Sequence, residues 1–443
     1  MKHMIKKTLV ALPFLFSHML YADNISSTNK NYFSFEHYSA TPPLNKFGSV
    51  DVNAKIPEDI QVPKAPAFLG GPNDTPTVLS KKWSNIIPSQ PELDARAYIL
   101  VNEENGDILA AKNANLRLAP ASITKLMLLY VAQKQLKSGR IHLDDQVIVP
   151  KEAWATGGSR MFLKPGSSVP VKLLIQGIIV DSGNDAAVTL ANYLSGSQST
   201  TVSLMNQSLK HLKMNNTHFS DVMGLPAPAH FSTALDLSKL AGGIITEYPE
   251  YYSWFGQKYL TYNGITQPNF NRLLFIYKYA DGMKTGSTGA AGFSLVSSAK
   301  QNNQRLIAVV LGAKSDNEVA SLSKSLLSYG FNFFSTKTIF KNHNKIEQVK
   351  VWFGDKKQLN VGVNHDVNIS LPRNYHGKIE SVAKINPNLE APIRKGEIIG
   401  SVTIKLNGDK LKKVNLIALD DVKKGSFIQI IEDHIKKFFT SIV

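Results

Sequence analysis

Hydrophobic spacing divides the chain into two differently built parts. The apolar runs 97–101 and 108–111 flank Asn102-Glu103-Glu104-Asn105-Gly106-Asp107, the pattern of a β-hairpin. Beyond Pro120-Ala121, apolar residues recur at Ile123, Leu126, Met127, Tyr130, Val131 and Leu136, a helical stripe that the Gly139 region ends. Further helices are expected over 171–179, 185–194, 202–212 and 234–245. Strands follow over 282–285, 292–299 and 306–312, with Gln301-Asn302-Asn303-Gln304 turning between the last two. Strands at both ends and helices between them describe an α+β domain over 89–338, an antiparallel sheet flanked by helices.

From 345 to 421 the period falls to two. Val367, Ile369 and Leu371 alternate with Asn368 and Ser370, and Val402, Ile404 and Leu406 lead into Asn407-Gly408. Short alternating strands with Gly and Pro turns predict a small β-sandwich. Residues 425–443 return to helical spacing, with Phe427, Ile428, Ile431, Ile435, Phe438, Phe439 and Ile442 on one face. Gln429, Glu432, Asp433, Lys436 and Lys437 lie opposite. Such a helix either packs onto the sandwich or lies on a membrane, apolar side among acyl chains and cations at the headgroups.

The amino end follows neither pattern. Lys2, Lys6 and Lys7 precede an apolar run over 8–20 and then Tyr21-Ala22-Asp23, the layout of a secretory signal peptide cleaved after Ala22. Residues 23–88, rich in Asn, Ser and Pro as in Ala40-Thr41-Pro42-Pro43, are expected to form an extended or disordered spacer. No later apolar segment reaches the roughly 18 residues that span a bilayer.

With 443 residues, 43% of them hydrophobic, the chain can build two folded units. It has no cysteine, so the core alone must hold an exported fold. The formal charge of +16 favours an anionic partner such as cell-wall polymer or a membrane surface. The cations are dispersed, with no recognition-helix or RNP pattern, which argues against nucleic acid. The eleven histidines include no His-Glu-x-x-His, and His211 and His218 lack metal-ligand spacing, so no metal or cofactor is expected. His230 reads as a loop histidine and Asp236 as a structural acid.

The chemistry begins at Ser122-Ile123-Thr124-Lys125. Positions i and i+3 of a helix share a face, so the Lys125 amine can sit over the Ser122 hydroxyl. Sixty residues on stands Ser182-Gly183-Asn184, and Lys284-Thr285-Gly286 lies on an expected strand. Ser-x-x-Lys, a Ser-x-Asn element and Lys-Thr-Gly in this order are shared by penicillin-binding proteins and class A β-lactamases. A serine hydroxyl attacks only once a base removes its proton. Lys125 is such a base when neutral, a state favoured by burial and by a second cation, Lys284. The helix start favours negative charge developing at Ser122. Ser182 can relay a proton to the leaving amine, and the Asn184 amide can hold a substrate amide. The strand edge at Lys284, Thr285, Gly286 and Ser287 suits an extended acyl substrate. Gly286 would admit close approach, and the N–H groups of Ser122 and Ser287 an oxyanion hole. Thr285 and Lys284 could bind a terminal carboxylate. Class A β-lactamases also need a Glu for the deacylating water. The next Glu after Asn184 is Glu247, so slow release of bound penicillin is expected. A non-catalytic wall-binding scaffold would need no paired nucleophile and base.

With these motifs, and with Ser159-Arg160-Met161-Phe162-Leu163-Lys164-Pro165-Gly166, Phe231-Ser232-Thr233-Ala234, Asn271-Arg272-Leu273-Leu274 and Val351-Trp352-Phe353-Gly354-Asp355, the chain resembles low-molecular-mass penicillin-binding proteins of the D-alanyl-D-alanine carboxypeptidase family. The resemblance runs from about residue 87 to the end. It implies a β-lactamase/transpeptidase-like domain, Ser122 as acyl-enzyme nucleophile, Lys125 as proton acceptor and Ser182 as proton shuttle. Asn184 and Lys284 become substrate contacts, peptidoglycan stem peptides the substrate, and β-lactams covalent inhibitors. It further implies a sandwich that acts as a stalk and a terminal helix docked on the outer, periplasmic face of the cytoplasmic membrane. One departure stands out. Relatives carry an Arg after the strand 306–312, whereas this chain has Ala313-Lys314-Ser315 and no Arg between Arg305 and Arg373. Lys314 in that role would lack bidentate geometry, which keeps DD-endopeptidase and weak carboxypeptidase readings open.

Overall fold

The computed structural model describes residues 77–440, so the expected leader and the spacer up to residue 76 lie outside the described residues. The central sheet is antiparallel. Its strands are β1 (Ala97–Asn102), β2 (Ile108–Lys112), β3 (Ala280–Thr288), β4 (Gly292–Gln301) and β5 (Gln304–Ala313), in spatial order β2-β1-β5-β4-β3. The chain therefore begins the sheet, builds its helices and returns to finish it, with β1 against β5 from Ala97↔Leu311 to Asn102↔Leu306. All six residues of β1 are buried because both faces of the sheet are covered. Ala97, Ile99 and Val101 point into one core, Tyr98 and Leu100 into the other.

Helices α2 (Lys125–Lys137), α3 (Val171–Val180), α4 (Asn184–Ser195), α5 (Gln198–His211) and α6 (Ala234–Glu247) belong to the first core. The stripe expected on α2 understates its burial: every residue from Lys125 to Ala132 is buried, Leu128 and Leu129 included. A helix packed on all sides loses its amphipathic signature.

The second core holds elements absent from the pattern reading. Helix α7 (Asp316–Phe333) places Val319, Ala320, Leu326 and Leu327 against Leu100, Leu306, Ala308 and Val310 of the sheet. Its start is capped on both sides: the N-cap Ser315 hydroxyl accepts the Glu318 N–H at 3.2 Å, and the Glu318 carboxylate accepts the Lys314 N–H at 2.7 Å. The spacer expected up to residue 88 is corrected at its end. The short helix α1 (Leu79–Lys82) with Leu79, Trp83 and Ile87 is buried in this core, and Val78 bridges Ile108. Apolar residues among Asn, Ser and Pro drive that packing, which composition alone concealed.

Strand β6 (Phe334–Phe340) continues from α7 and pairs with β9 (Val367–Pro372). A five-stranded sheet faces this pair: β7 (Glu347–Lys350), β8 (Gln358–Gly362), β10 (Ile379–Ile385), β11 (Ile398–Leu406) and β12 (Asp409–Ala418), in the order β7-β8-β12-β11-β10. Ile369, Leu371, Val402, Ile404 and Leu406 point inward, so the period-two reading describes a sandwich. The sandwich is fastened to the β1–β2 turn. Asn102 Nδ2 donates to Thr336 and Ser370 hydroxyls at 2.8 and 2.9 Å, and the Asp107 carboxylate accepts the Ser370 N–H at 2.8 Å.

The last helix, α8 (Phe427–Thr440), sits with its polar side on the sandwich. Asp433 is buried, accepting the Phe353 N–H at 2.6 Å and the Lys357 ammonium at 2.9 Å, and His434 stacks on Phe353 at 4.5 Å. Phe427, Ile428 and Phe438 face outward, 63–78% exposed. The apolar face is therefore not what packs on the sandwich. None of the described helices is long and apolar enough to cross a membrane.

Candidate active site

Four segments converge on Ser122. A 3-10 turn, Ala121–Thr124, carries it into α2. The α3–α4 junction supplies Ser182 and Asn184, the 220–225 loop supplies Met223, and edge strand β3 supplies Lys284. Two non-glycine residues here hold positive φ, Ala121 (49°) and Ser182 (52°). Such conformations persist where surrounding contacts over-determine them. At Gly224 (φ 96°) an added Cβ would lie 1.8 Å from the Ala121 carbonyl oxygen, so the 220–225 loop lies directly on the turn bearing the nucleophile.

Lys125 is fully buried, and its Nζ has three partners: Ser122 Oγ at 2.9 Å, Asn184 Oδ1 at 2.7 Å and the Met223 carbonyl at 3.1 Å. Burial, then the Lys284 charge, hold this amine well below the usual lysine range, while Asp221 and Asp185 oppose the shift. Lys284 is also buried, and desolvation brings its pKa down to about 7 against the opposing charge of Asp181. Its Nζ donates to the Thr285 carbonyl at 3.1 Å. Asp181, at the end of α3, is pushed up to about 7, mainly by burial and then by Asp185. The Ser182 hydroxyl is buried and has no hydrogen-bond partner among the described residues.

The structure thus joins Ser122, Lys125 and Asn184 by direct bonds and sets Lys284 close enough for its charge to act on Lys125. It does not bond Ser182 to Lys125 or to Lys284. Two expectations change. Asn184 is engaged within the protein, its Oδ1 by Lys125 and its Nδ2 by the Gly157 carbonyl at 2.6 Å, so it positions the base. An added Cβ at Gly286 would lie 2.8 Å from the Pro120 carbonyl oxygen and 3.0 Å from Ile123 N. That glycine admits the nucleophile's own turn, not substrate. Thr285 is half-buried and Ser287 exposed on the edge strand. Lys314 pairs with Asp94, both side chains largely exposed. Glu247 is buried at the end of α6, bonded to the Tyr130 hydroxyl at 2.8 Å and His211 at 3.0 Å, so it activates no water at Ser122.

Sequence reasoning missed the supports. Asp185 accepts the N–H groups of Met161, Leu163 and Ala186 at 2.9–3.0 Å, fixing the segment whose Ser159 carbonyl accepts the Asn184 N–H. His230, expected as a loop histidine, is 3% exposed, with Nε2 2.7 Å from the Thr124 hydroxyl. Asp236 is structural, accepting from Asn216 N, Thr217 and Lys239. The signal for Asp221 was present as an Asp-x-x-Gly turn.

Residues 84–315 match the sequence profile of the D-alanyl-D-alanine carboxypeptidase family, and residues 334–424 that of the penicillin-binding protein 5 C-terminal domain. D-alanyl-D-alanine carboxypeptidase DacC of Escherichia coli K12 is 43% identical over 357 residues, covering 79% of this chain and 89% of that protein. DacA of the same strain is 39% identical over 362 residues, covering 80% and 90%. Among solved structures, penicillin-binding protein 5 from Haemophilus influenzae superposes with a TM-score of 0.73 at 37% identity, covering 76% of this chain and 99% of that one. Penicillin-binding protein 6B from Escherichia coli gives 0.63 at 34% identity, covering 77% and 98%. With an armed serine on a helix beneath an edge strand, and these likenesses along both folded units, the chain belongs to the D-alanyl-D-alanine carboxypeptidase family of penicillin-binding proteins.

Proposed function

We propose that the protein is a serine D-alanyl-D-alanine carboxypeptidase that trims peptidoglycan stem peptides through an acyl-enzyme on Ser122. The observation that carries the mechanism is the set of partners around the Lys125 amine. A neutral amine has two N–H groups and one lone pair. Its N–H groups satisfy the Asn184 and Met223 oxygens, which leaves the lone pair for the Ser122 proton. Ser122 Oγ then attacks the penultimate D-alanyl carbonyl, and the oxyanion forms against the N–H groups of Ser122 and Ser287. Ser182, whose hydroxyl has no partner among the described residues, gives its proton to the departing D-alanine amine and takes the one held by Lys125 in its place, and water later releases the shortened peptide. The substrate lies along β3, with Lys284 and Thr285 toward the terminal carboxylate. Lacking a deacylating Glu, the site holds penicillin as a long-lived acyl-enzyme.

The likeness to penicillin-binding proteins supports a catalytic unit over 84–315 and a sandwich stalk over 334–424; the expected bounds 89–338 and 345–421 are corrected, because β6 (Phe334–Phe340) pairs with β9 of the sandwich. Export by residues 1–22 and peripheral contact of α8 with the cytoplasmic membrane complete the reading, supported by the outward apolar face of that helix.

Incubation with a pentapeptide muropeptide should remove one D-alanine, read by mass spectrometry, and fluorescent penicillin should label wild type but not Ser122→Ala. Cleavage of cross-linked dimers with no loss of D-alanine would favour DD-endopeptidase action instead.

A further inference from the structure

Behind the nucleophile lies a polar pair, His230 buried and Asp221 partly buried, that the proposed proton path does not use. The Asp221 carboxylate accepts the N–H groups of Met223, Gly224 and Leu225 at 2.6, 2.6 and 3.1 Å. This fixes the turn whose Met223 carbonyl bonds the Lys125 amine and whose Gly224 rests on the peptide before Ser122. His230 Nδ1 stands 3.3 Å from Asp221 and 3.3 Å from the Ser220 N–H, while Nε2 meets the Thr124 hydroxyl at 2.7 Å. Thr124 is fully buried and adjoins Lys125 in the chain. The imidazole is fixed further by an edge-on contact with Phe219 at 5.7 Å.

We infer that Asp221 and His230 are positioning residues that set the Lys125 amine from behind, a role that rests on Lys125 acting as the base. The pair acts through geometry, by aiming the Met223 carbonyl and holding Thr124, and through charge. The charged groups acting on Lys125 are Lys284 from β3, Asp221 from the loop and Asp185 from α4. Asp221 favours the protonated amine and thereby offsets burial and Lys284, which keeps the base strong enough to take the serine proton. Its own carboxyl lies below the ordinary range: burial pushes it up, and the hydrogen bonds from His230, Gly224 and Met223 outweigh burial.

The test is the pH profile of the fluorescent-penicillin acylation rate for the full-length protein. Asp221→Asn, which keeps an acceptor oxygen without the charge, should lower the Lys125 pKa and move the acid limb down by about 0.5–1 pH unit. The plateau should also fall several-fold. Asp221→Ser, another turn-forming acceptor, carries the same expectation. Slowing by one factor at every pH, with the limb unmoved, would reduce Asp221 to a structural residue and overturn the inference. If neither variant folds, Thr124→Val decides: it should slow acylation several-fold, and an unchanged rate would overturn the pair's role. No Ser122-dependent label in wild type would remove the acyl-enzyme reading itself, and the pair's role with it.

Discussion

At Asn184 one side chain serves two masters: its oxygen receives the Lys125 amine and its nitrogen holds Gly157. Asn184→Ala should therefore slow penicillin acylation by ~10²–10⁴-fold, the range of general-base contributions, while the melting temperature moves little; stopped-flow acylation and a thermal melt check this. Lys284 gives a pH-dependent prediction. Its folded pKa of about 7 lies below the ordinary lysine value, so between these two the unfolded chain binds more protons than the folded one. Stability from this group consequently rises with pH across that window, and burial of the ammonium is destabilising below it. Lys284→Met should raise the melting temperature at pH 6 by the equivalent of ~1–4 kcal/mol, flatten its rise toward pH 10, and abolish carboxypeptidase turnover. A melting temperature with the wild-type pH dependence would contradict this. The reactive residues themselves were legible, because Ser122, Lys125, Ser182, Asn184 and Lys284 lie in short motifs with fixed spacing. Their supports were not: Met223 acts through a backbone carbonyl, which any residue could present, and His230 meets Thr124 and Asp221 only after folding.

At the scale of elements, the close contact between β3 and the Ser122 turn is governed by Gly286. Gly286→Ala would set a methyl 2.8 Å from the Pro120 oxygen, so one of the two elements must move. The expected loss is ~1–3 kcal/mol of stability with a disproportionate fall in acylation rate, measured by denaturant unfolding beside penicillin labelling. Helix α7 shows why a whole element escaped the periodicity reading. Its cap at Ser315 and Glu318 was readable, yet its apolar residues include small ones, Ala320 and Gly330, that pack close under the sheet. Strand ends were short in the reading by a few residues, since Gly282 and the Asn302-Asn303 turn masked continued pairing from Ala280 to Gln304.

For the whole molecule, α8 is the part whose orientation bears on the proposed membrane contact. Its polar side is fastened through Asp433, and its apolar side is presented outward on a strongly basic chain. Truncation after Lys424 should abolish sedimentation with anionic vesicles and leave soluble-phase penicillin acylation within about twofold, as expected for an interfacial helix remote from the site. Equal sedimentation of both proteins would remove the anchor. The sequence by itself determined the candidate residues for the chemistry, that an α+β unit precedes a period-two sandwich, and that the terminal helix has two faces, because these are local properties of spacing and side-chain type. Only the tertiary structure decided which face of that helix packs, that Asn184 and Gly286 serve the protein's own turn, and that Lys314 is held by Asp94. These outcomes depend on which groups meet across long chain separations, and on a buried Lys125 whose pKa is set by Lys284, Asp221 and Asp185 together.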